Sequence, residues 1–230
     1  MITLRKVNPL AIAIDGTFAS GKGTLARRLA AHYGVGHLDT GKIYRAAALA
    51  VLEAEGDPGS EADALRGVEA ADFGALDDPR LLANAVAEAA SRLSVHPSVR
   101  NALVAMQRDF AEGGAVLDGR DIGTVILPGA DVKLFVDADP RVRARRRWEE
   151  LSARGDTITE VQVLDALNTR DHRDRTRTAA PLKPAADAHL LDTTELSITE
   201  VFERACAVVD AVVATRPSPG TPQGASVGKR

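Results

Sequence analysis

Nine residues, Gly16-Thr17-Phe18-Ala19-Ser20-Gly21-Lys22-Gly23-Thr24, constrain the fold of this chain more than any other stretch of it. A short apolar run, Leu10-Ala11-Ile12-Ala13-Ile14, precedes them, and a helical pattern follows from about Lys22 to Tyr33. A G-x-x-x-x-G-K run between a strand and a helix curls so that successive backbone N–H groups point inward at phosphate oxygens. The helix N-terminus adds its positive dipole end, and Lys22 adds a full charge. Gly23 directly follows the lysine, so the hydroxyl expected there comes one place later, at Thr24. Such a loop implies nucleotide binding and leaves the reaction open.

The rest of the chain alternates strands with helices. A short strand is expected around 37–39 and a helix from 41 to about 55. Residues 56–78 read as acidic and turn-rich, with Gly56-Asp57-Pro58-Gly59 and Asp77-Asp78-Pro79 as breakers. Helical periodicity resumes over 79–93 and 97–111. Buried strands are expected at 115–117 and 131–136. An arginine-rich helix begins at Pro140, Asp156-Thr157 interrupts it, and another helix runs over 159–176. A last strand at 188–191 precedes a last helix at 197–214, with Ser197 as cap and Glu200 three residues on. The expectation is one α/β domain over 1–215, three-layered, with a mostly parallel five-stranded sheet. Residues 216–230, rich in Pro, Gly and Ser, read as a disordered tail.

Composition narrows the partners. A net charge of −3 gives no global basic field for nucleic acid, so an anion has to be held by local arginine clusters. The single cysteine, Cys206, excludes an intrachain disulfide and reads as a small core residue. The apolar run at 10–14 is too short for a signal-peptide core, and no stretch approaches the ~18 apolar residues of a membrane span. A cytoplasmic protein, free of membrane and nucleic acid and acting as a monomer, is expected. The five histidines form no metal-ligand spacing and read as structural or surface groups.

Those arginine clusters exist. Arg45 lies on the helix that begins beside Asp39-Thr40-Gly41, where Thr40 could cap the helix and offer a hydroxyl. Arg120, in Asp118-Gly119-Arg120-Asp121, sits past a strand's carboxyl end, where open α/β sheets bind ligands. Arg170, Arg173, Asp174 and Arg177 are spaced to share one helical face. Any one of these could be a surface residue in a weak ion pair. RNA binding through the same patches lacks aromatic stacking partners.

The blocks IAIDGTFASGKGT, LDTGKIYR, LDGRDIGTVILPGADVKLFVDA and RDHRDRTRTAAPLKPAADAHLLDTT closely resemble the bacterial cytidylate kinases, across about residues 10 to 213. The glycine loop is shared by many unrelated enzymes; the GRDIGT and RDxRDR blocks are far more specific. The resemblance implies the P-loop kinase fold and ATP-dependent phosphorylation of CMP and dCMP. It makes Gly16 to Thr24 the ATP phosphate loop, with Arg146 and Arg147 at the hinge of a lid over ATP spanning roughly 146–158. Thr40, Arg45 and Arg120 would hold the CMP phosphate. Ser91, Arg100 and Asp121 would read the cytosine edge, and Arg170 and Asp174 would meet the ribose. Lys22, Arg120 and Arg177 would act on the transferring phosphates.

Two departures stand out. Members of that family like the common enteric enzyme carry an insert with antiparallel strands where this chain has only a reduced, helical one, about 56–98. Thr17 also stands where many relatives have proline. The acceptor is an ionised phosphate oxygen, so no general base is required, and catalysis would be positioning plus charge neutralisation. Mg²⁺ would arrive with ATP, held by phosphates and water, with Thr24 the nearest protein hydroxyl. Kinases of UMP, AMP or shikimate remain alternatives. A GTP-dependent switch is disfavoured, because Asn168-Thr169-Arg170-Asp171 lacks the lysine of an N-K-x-D guanine reader.

Overall fold

A computed structural model describes residues 10–215. The expected tail at 216–230 lies outside the described residues. Five strands, β1 (Ala11–Gly16), β2 (Gly36–Asp39), β3 (Ala115–Gly119), β4 (Val132–Asp137) and β5 (His189–Asp192), form one sheet in the order β2-β3-β1-β4-β5. Each of its four pairings is parallel. The apolar run of β1 is continuous because the strand is central and covered on both faces. Its alternation decides the layers. Ile12 and Ile14 join a cluster with Leu29 of α1 (Lys22–Tyr33) and Val209 of α8 (Ile198–Thr215). Ala13 faces the opposite layer, among Ile43 of α2 (Thr40–Glu53), Leu93 and Leu103.

Residues 56–78 correct the expectation of a turn-rich connection, because Glu61–Ala70 forms a helix, α3. Ser60 caps it by accepting from the Asp63 N–H, and Glu61 and Asp63 favour the positive end of its dipole. The contact face is too small-sided to stand out as apolar periodicity: a Cβ on Gly67 would lie 2.7 Å from the Ala47 carbonyl oxygen of α2. The helix expected over 79–93 divides into a 3₁₀ turn, Pro79–Leu82, and α4 (Asn84–Leu93), separated by extended backbone at Ala83. Next comes α5 (Pro97–Ala111). After β3, one π-helical turn, Ile122–Ile126, was not foreseen. The Asp15 carboxylate holds its start by accepting from the N–H groups of Ile122 and Gly123 at 2.7 and 2.8 Å.

The arginine-rich segment becomes α6 (Pro140–Ala153), which pairs with α7 (Glu160–Thr176) around Ala144, Leu151, Val163 and Leu167. In α8, Ser197 and Glu200 exchange the two hydrogen bonds of a capping box. No described helix is long and apolar enough to cross a membrane.

Candidate active site

The carboxyl ends of β1, β2 and β3 converge on one edge of the sheet, with Asp39 in register with Asp118 and Asp15 with Gly119. That edge is where an open parallel sheet binds its ligand. The loop after β1 turns there because Gly16 can approach the neighbouring strand: a Cβ on it would sit 2.0 Å from the Val136 carbonyl oxygen. Thr17 is fully buried and its hydroxyl donates to Asp137 at the end of β4, 2.6 Å away, a bond proline could not make. The Ser20 hydroxyl donates to the Thr17 carbonyl at 3.0 Å, and Gly21 (φ 86°) supplies the left-handed conformation that starts α1. Gly16, Thr17 and Ser20 thus shape the loop from beneath. Phe18, Ala19, Gly21, Lys22, Gly23 and Thr24 face a cavity of about 440 Å³.

Charge is the distinguishing property of that cavity. Ten lysine or arginine side chains line it against five carboxylates, in a chain whose net charge is −3. Burial, then Arg120, pushes the Lys22 pKa down to about 7, against the opposing pull of Asp118 and Asp39. Burial and Arg120 likewise bring Arg170 down to about 9, and burial lowers Arg45 and Arg177. Burial by itself would raise Asp174, but Arg120, Arg170 and Arg177 outweigh it and hold the carboxyl below its usual range. A cluster of cations that disfavour one another's charge is built for a polyanion.

The sequence-derived residues divide cleanly. Thr40, Arg45, Arg100, Arg120, Asp121, Arg147, Arg170, Asp174 and Arg177 all reach the cavity. Arg120 Nε donates to Asp174 at 2.9 Å, Arg100 pairs with Asp121, and Arg177 lies 3.7 Å from Asp121 and 3.9 Å from Asp174. Arg100 and Asp121 are 5% exposed each, so this donor–acceptor pair forms a dry wall of the cavity. Thr40 does not cap α2: its hydroxyl donates to the Asp118 carbonyl at 2.8 Å. Ser91 stands outside the lining, accepting from Arg173 Nη1 at 2.7 Å, and Ser94 takes the place on the wall. Arg173 therefore leaves the face shared by Arg170, Asp174 and Arg177, and also pairs with Glu88 of α4. Arg146 too lies outside the lining; it donates to the hydroxyl and carbonyl of Thr193. Arg147 donates to Asn84 Oδ1 at 3.0 Å, joining α6 to the start of α4.

Sequence reasoning missed Asp118, Asp39, Tyr44, Arg27 and Arg154, which share the cavity. Asp118 Oδ1 accepts from His37 Nε2 at 2.8 Å, giving that histidine a place beside the site. The strand-end position of Asp39 and Asp118 was the available signal. For Mg²⁺, no described group of three or more His, Cys, Asp or Glu could hold a metal on its own. Thr24, Asp39 and Asp118 offer oxygens beside Lys22 in the same cavity. That donor set fits a hard cation brought in by phosphates and finished with water.

A fold comparison places this chain beside an uncharacterised protein from Eubacterium ventriosum, TM-score 0.54 at 13% identity, covering 88% of this chain and 99% of that one. Sequence relatives reach further. The chain is 56% identical over 203 residues to the cytidylate kinase of Nitrobacter winogradskyi, covering 87% of this chain and 96% of that protein. It is 53% identical over 210 residues to the cytidylate kinase of Brucella suis biovar 1, covering 90% and 96%. The family model for cytidylate kinase matches residues 12–211, which include every residue of the cavity, and the chain belongs to the cytidylate kinase family.

Proposed function

We propose that the protein transfers the γ-phosphoryl of ATP to CMP, and to dCMP, in the cavity at the sheet's carboxyl edge. The observation that carries this reading is the cavity's lining: the phosphate loop with Lys22, the buried Arg100–Asp121 pair and a surplus of cations share one cavity. Two nucleotides with one Mg²⁺ carry roughly four negative charges, close to that surplus.

The loop from Gly16 to Thr24 binds the ATP phosphates through its N–H groups, with Lys22 on the β and γ oxygens. Arg147, on α6, approaches ATP from the lid segment 146–158. Thr40, Arg45 and Arg120 hold the CMP phosphate, and Arg170 and Asp174 meet its ribose. Asp121 is acceptor-only and pairs with the cytosine N4 amine, while donor-only Arg100 serves the ring's N3 or O2. α3 and α4 form the reduced acceptor side, about 56–98. Thr24, Asp39 and Asp118 would offer oxygens to the water shell of a Mg²⁺ brought in with ATP, which would supply charge neutralisation during the transfer. The attacking oxygen of CMP is already ionised, so these side chains move no proton. They align donor and acceptor, exclude water and gather charge through Lys22, Arg120 and Arg177 as the phosphoryl passes.

A coupled ADP-release assay over CMP, dCMP, UMP, AMP and GMP tests the reading. CMP and dCMP are expected to exceed the others by at least about tens-fold in kcat/KM. A preference for UMP or AMP, or turnover of shikimate in a parallel reaction, would overturn it.

A further inference from the structure

We propose that Phe18 is a positioning residue that holds Arg170, and with it Arg147, in place by offering an aromatic face instead of a carboxylate. The proposal rests on the reading of the cavity as the ATP–CMP site.

Between β1 and α1, Phe18 is the one large side chain, beside Thr17, Ala19, Ser20 and Gly21. Its backbone and its ring are each held by a separate contact. The Phe18 carbonyl accepts from Arg143 Nη1 at 3.0 Å, and Arg143 is itself anchored to Asp171 at 2.7 Å. The ring packs into the α6–α7 cluster of Ala144, Leu151, Val163 and Leu167. Two guanidiniums approach its faces: Arg170 of α7 at 4.3 Å from the ring centroid and Arg147 of α6 at 5.8 Å.

Arg170 needs such a partner. Asp174, one turn further along α7, is committed to Arg120. Arg170 Nε is buried and has no hydrogen-bond partner among the described residues. Burial, Arg120 and Arg45 oppose its charge, against the support of Asp174 and Glu88. A carboxylate partner would cancel the charge and occupy part of the guanidinium's donor fork. An aromatic face attracts the cation through the ring quadrupole and leaves the in-plane N–H donors free for a nucleotide's oxygens. Because Phe18 belongs to the phosphate loop, it also ties the acceptor-side Arg170 to the ATP-side loop through one rigid group.

The test compares wild type, Phe18→Leu, Phe18→Trp, Arg170→Met and the Phe18→Leu/Arg170→Met double variant in kcat/KM for CMP at saturating ATP. Phe18→Leu is expected to lose about tenfold, the size of a partly desolvated cation–π contact. Phe18→Trp, which restores an aromatic face, is expected to recover most of the activity that Phe18→Leu loses. The double variant is expected to be no worse than Arg170→Met alone, because Phe18 acts through that arginine. Replacing Phe18 by a trifluorinated phenylalanine keeps size and packing while weakening the ring's negative face. Its activity is expected to fall with unchanged melting temperature, which covers the case of a leucine variant that does not fold. Full multiplicativity in the double variant, or a fluorinated protein as active as wild type, would overturn the proposal. If wild-type protein does not phosphorylate CMP at all, the reading of the cavity fails instead, and the two failures are told apart.

Discussion

Replacing Lys22 with methionine should make the ligand-free protein more stable while disabling it. Burial, and then Arg120, lowers the Lys22 pKa from the ordinary 10.5 to about 7. The unfolded chain keeps that proton up to about 10.5. Below pH 7 both states are protonated, and the folded state bears the whole cost of a poorly solvated cation. As the pH rises from 7 towards 10.5 the folded lysine sheds its proton first, so this penalty fades and stability grows across that window. A depression of this size corresponds to at most about 5 kcal/mol. Lys22 retains partial access to water and donates to the Thr17 carbonyl at 3.3 Å, so a realised gain of about 1–3 kcal/mol is expected on substitution. For a chain of this length that is an increase of about 3–8 °C in Tm at pH 6.5. The same substitution should lower kcat by roughly 10²-fold or more, because in the proposed ATP site this charge meets the one that develops on the γ-phosphoryl. Thermal melts at pH 6.5 and 9, with steady-state rates on the same preparations, read both effects. The difference in Tm should shrink at the higher pH. A Lys22→Met protein that melts at or below wild type at pH 6.5 would refute the electrostatic reasoning.

The scaffold beneath the site gives further expectations. Arg143, 1% exposed, donates to the Ala138 and Phe18 carbonyls at 2.8 and 3.0 Å and pairs with Asp171. Arg143→Met leaves that carboxylate buried and unpaired, so a loss of about 3–5 kcal/mol should appear in urea unfolding. Gly16→Ala drives a methyl group into the Val136 carbonyl and should cost at least about 2 kcal/mol in the same assay. Gly129→Ala, where an added Cβ meets nothing within 4 Å, should stay within about 0.5 kcal/mol of wild type. Asp174→Ala should mainly raise KM for CMP, whereas Arg177→Ala should depress kcat more than KM, because its charge matters most as the phosphoryl moves. Unchanged kinetics with only a lowered Tm would make that face structural.

The parts of the fold that were legible in the sequence are those whose pattern is local. The strand–loop–helix at 10–33 announces itself because glycine spacing, apolar burial and helix start coincide. Helix α3 was hidden because its contact face is Ala64 and Gly67, residues chosen for close approach to α2 rather than for apolar bulk. The π-helical turn after β3 was hidden because Asp15, more than a hundred residues earlier, satisfies its first N–H groups. At the site, helical spacing brought Arg170, Asp174 and Arg177 together, yet could not foresee that Arg173 is drawn away by Glu88 and Ser91 on another helix. The resemblance placed Arg146 with Arg147 over ATP, although neighbouring helical positions point about 100° apart and Arg146 turns to Thr193. Charge partners across the fold, such as Arg100 with Asp121, leave no trace in local spacing.

We propose that this cavity recognises cytosine through Asp121 while positioning two nucleotides for phosphoryl transfer. The most direct measurement is kcat/KM for CMP and UMP in wild type and Asp121→Asn. A carboxylate accepts from the cytosine amine and repels the uracil O4 acceptor, and leaving a buried polar group unpaired costs roughly 1–3 kcal/mol. Wild type is therefore expected to prefer CMP by at least about tens-fold. Asp121→Asn should lower activity with CMP, because Arg100 loses its buried counter-charge, and should narrow the CMP:UMP ratio by turning an amide donor towards O4. A ratio unchanged by the substitution, or a wild-type enzyme that takes UMP as readily as CMP, would contradict the claim.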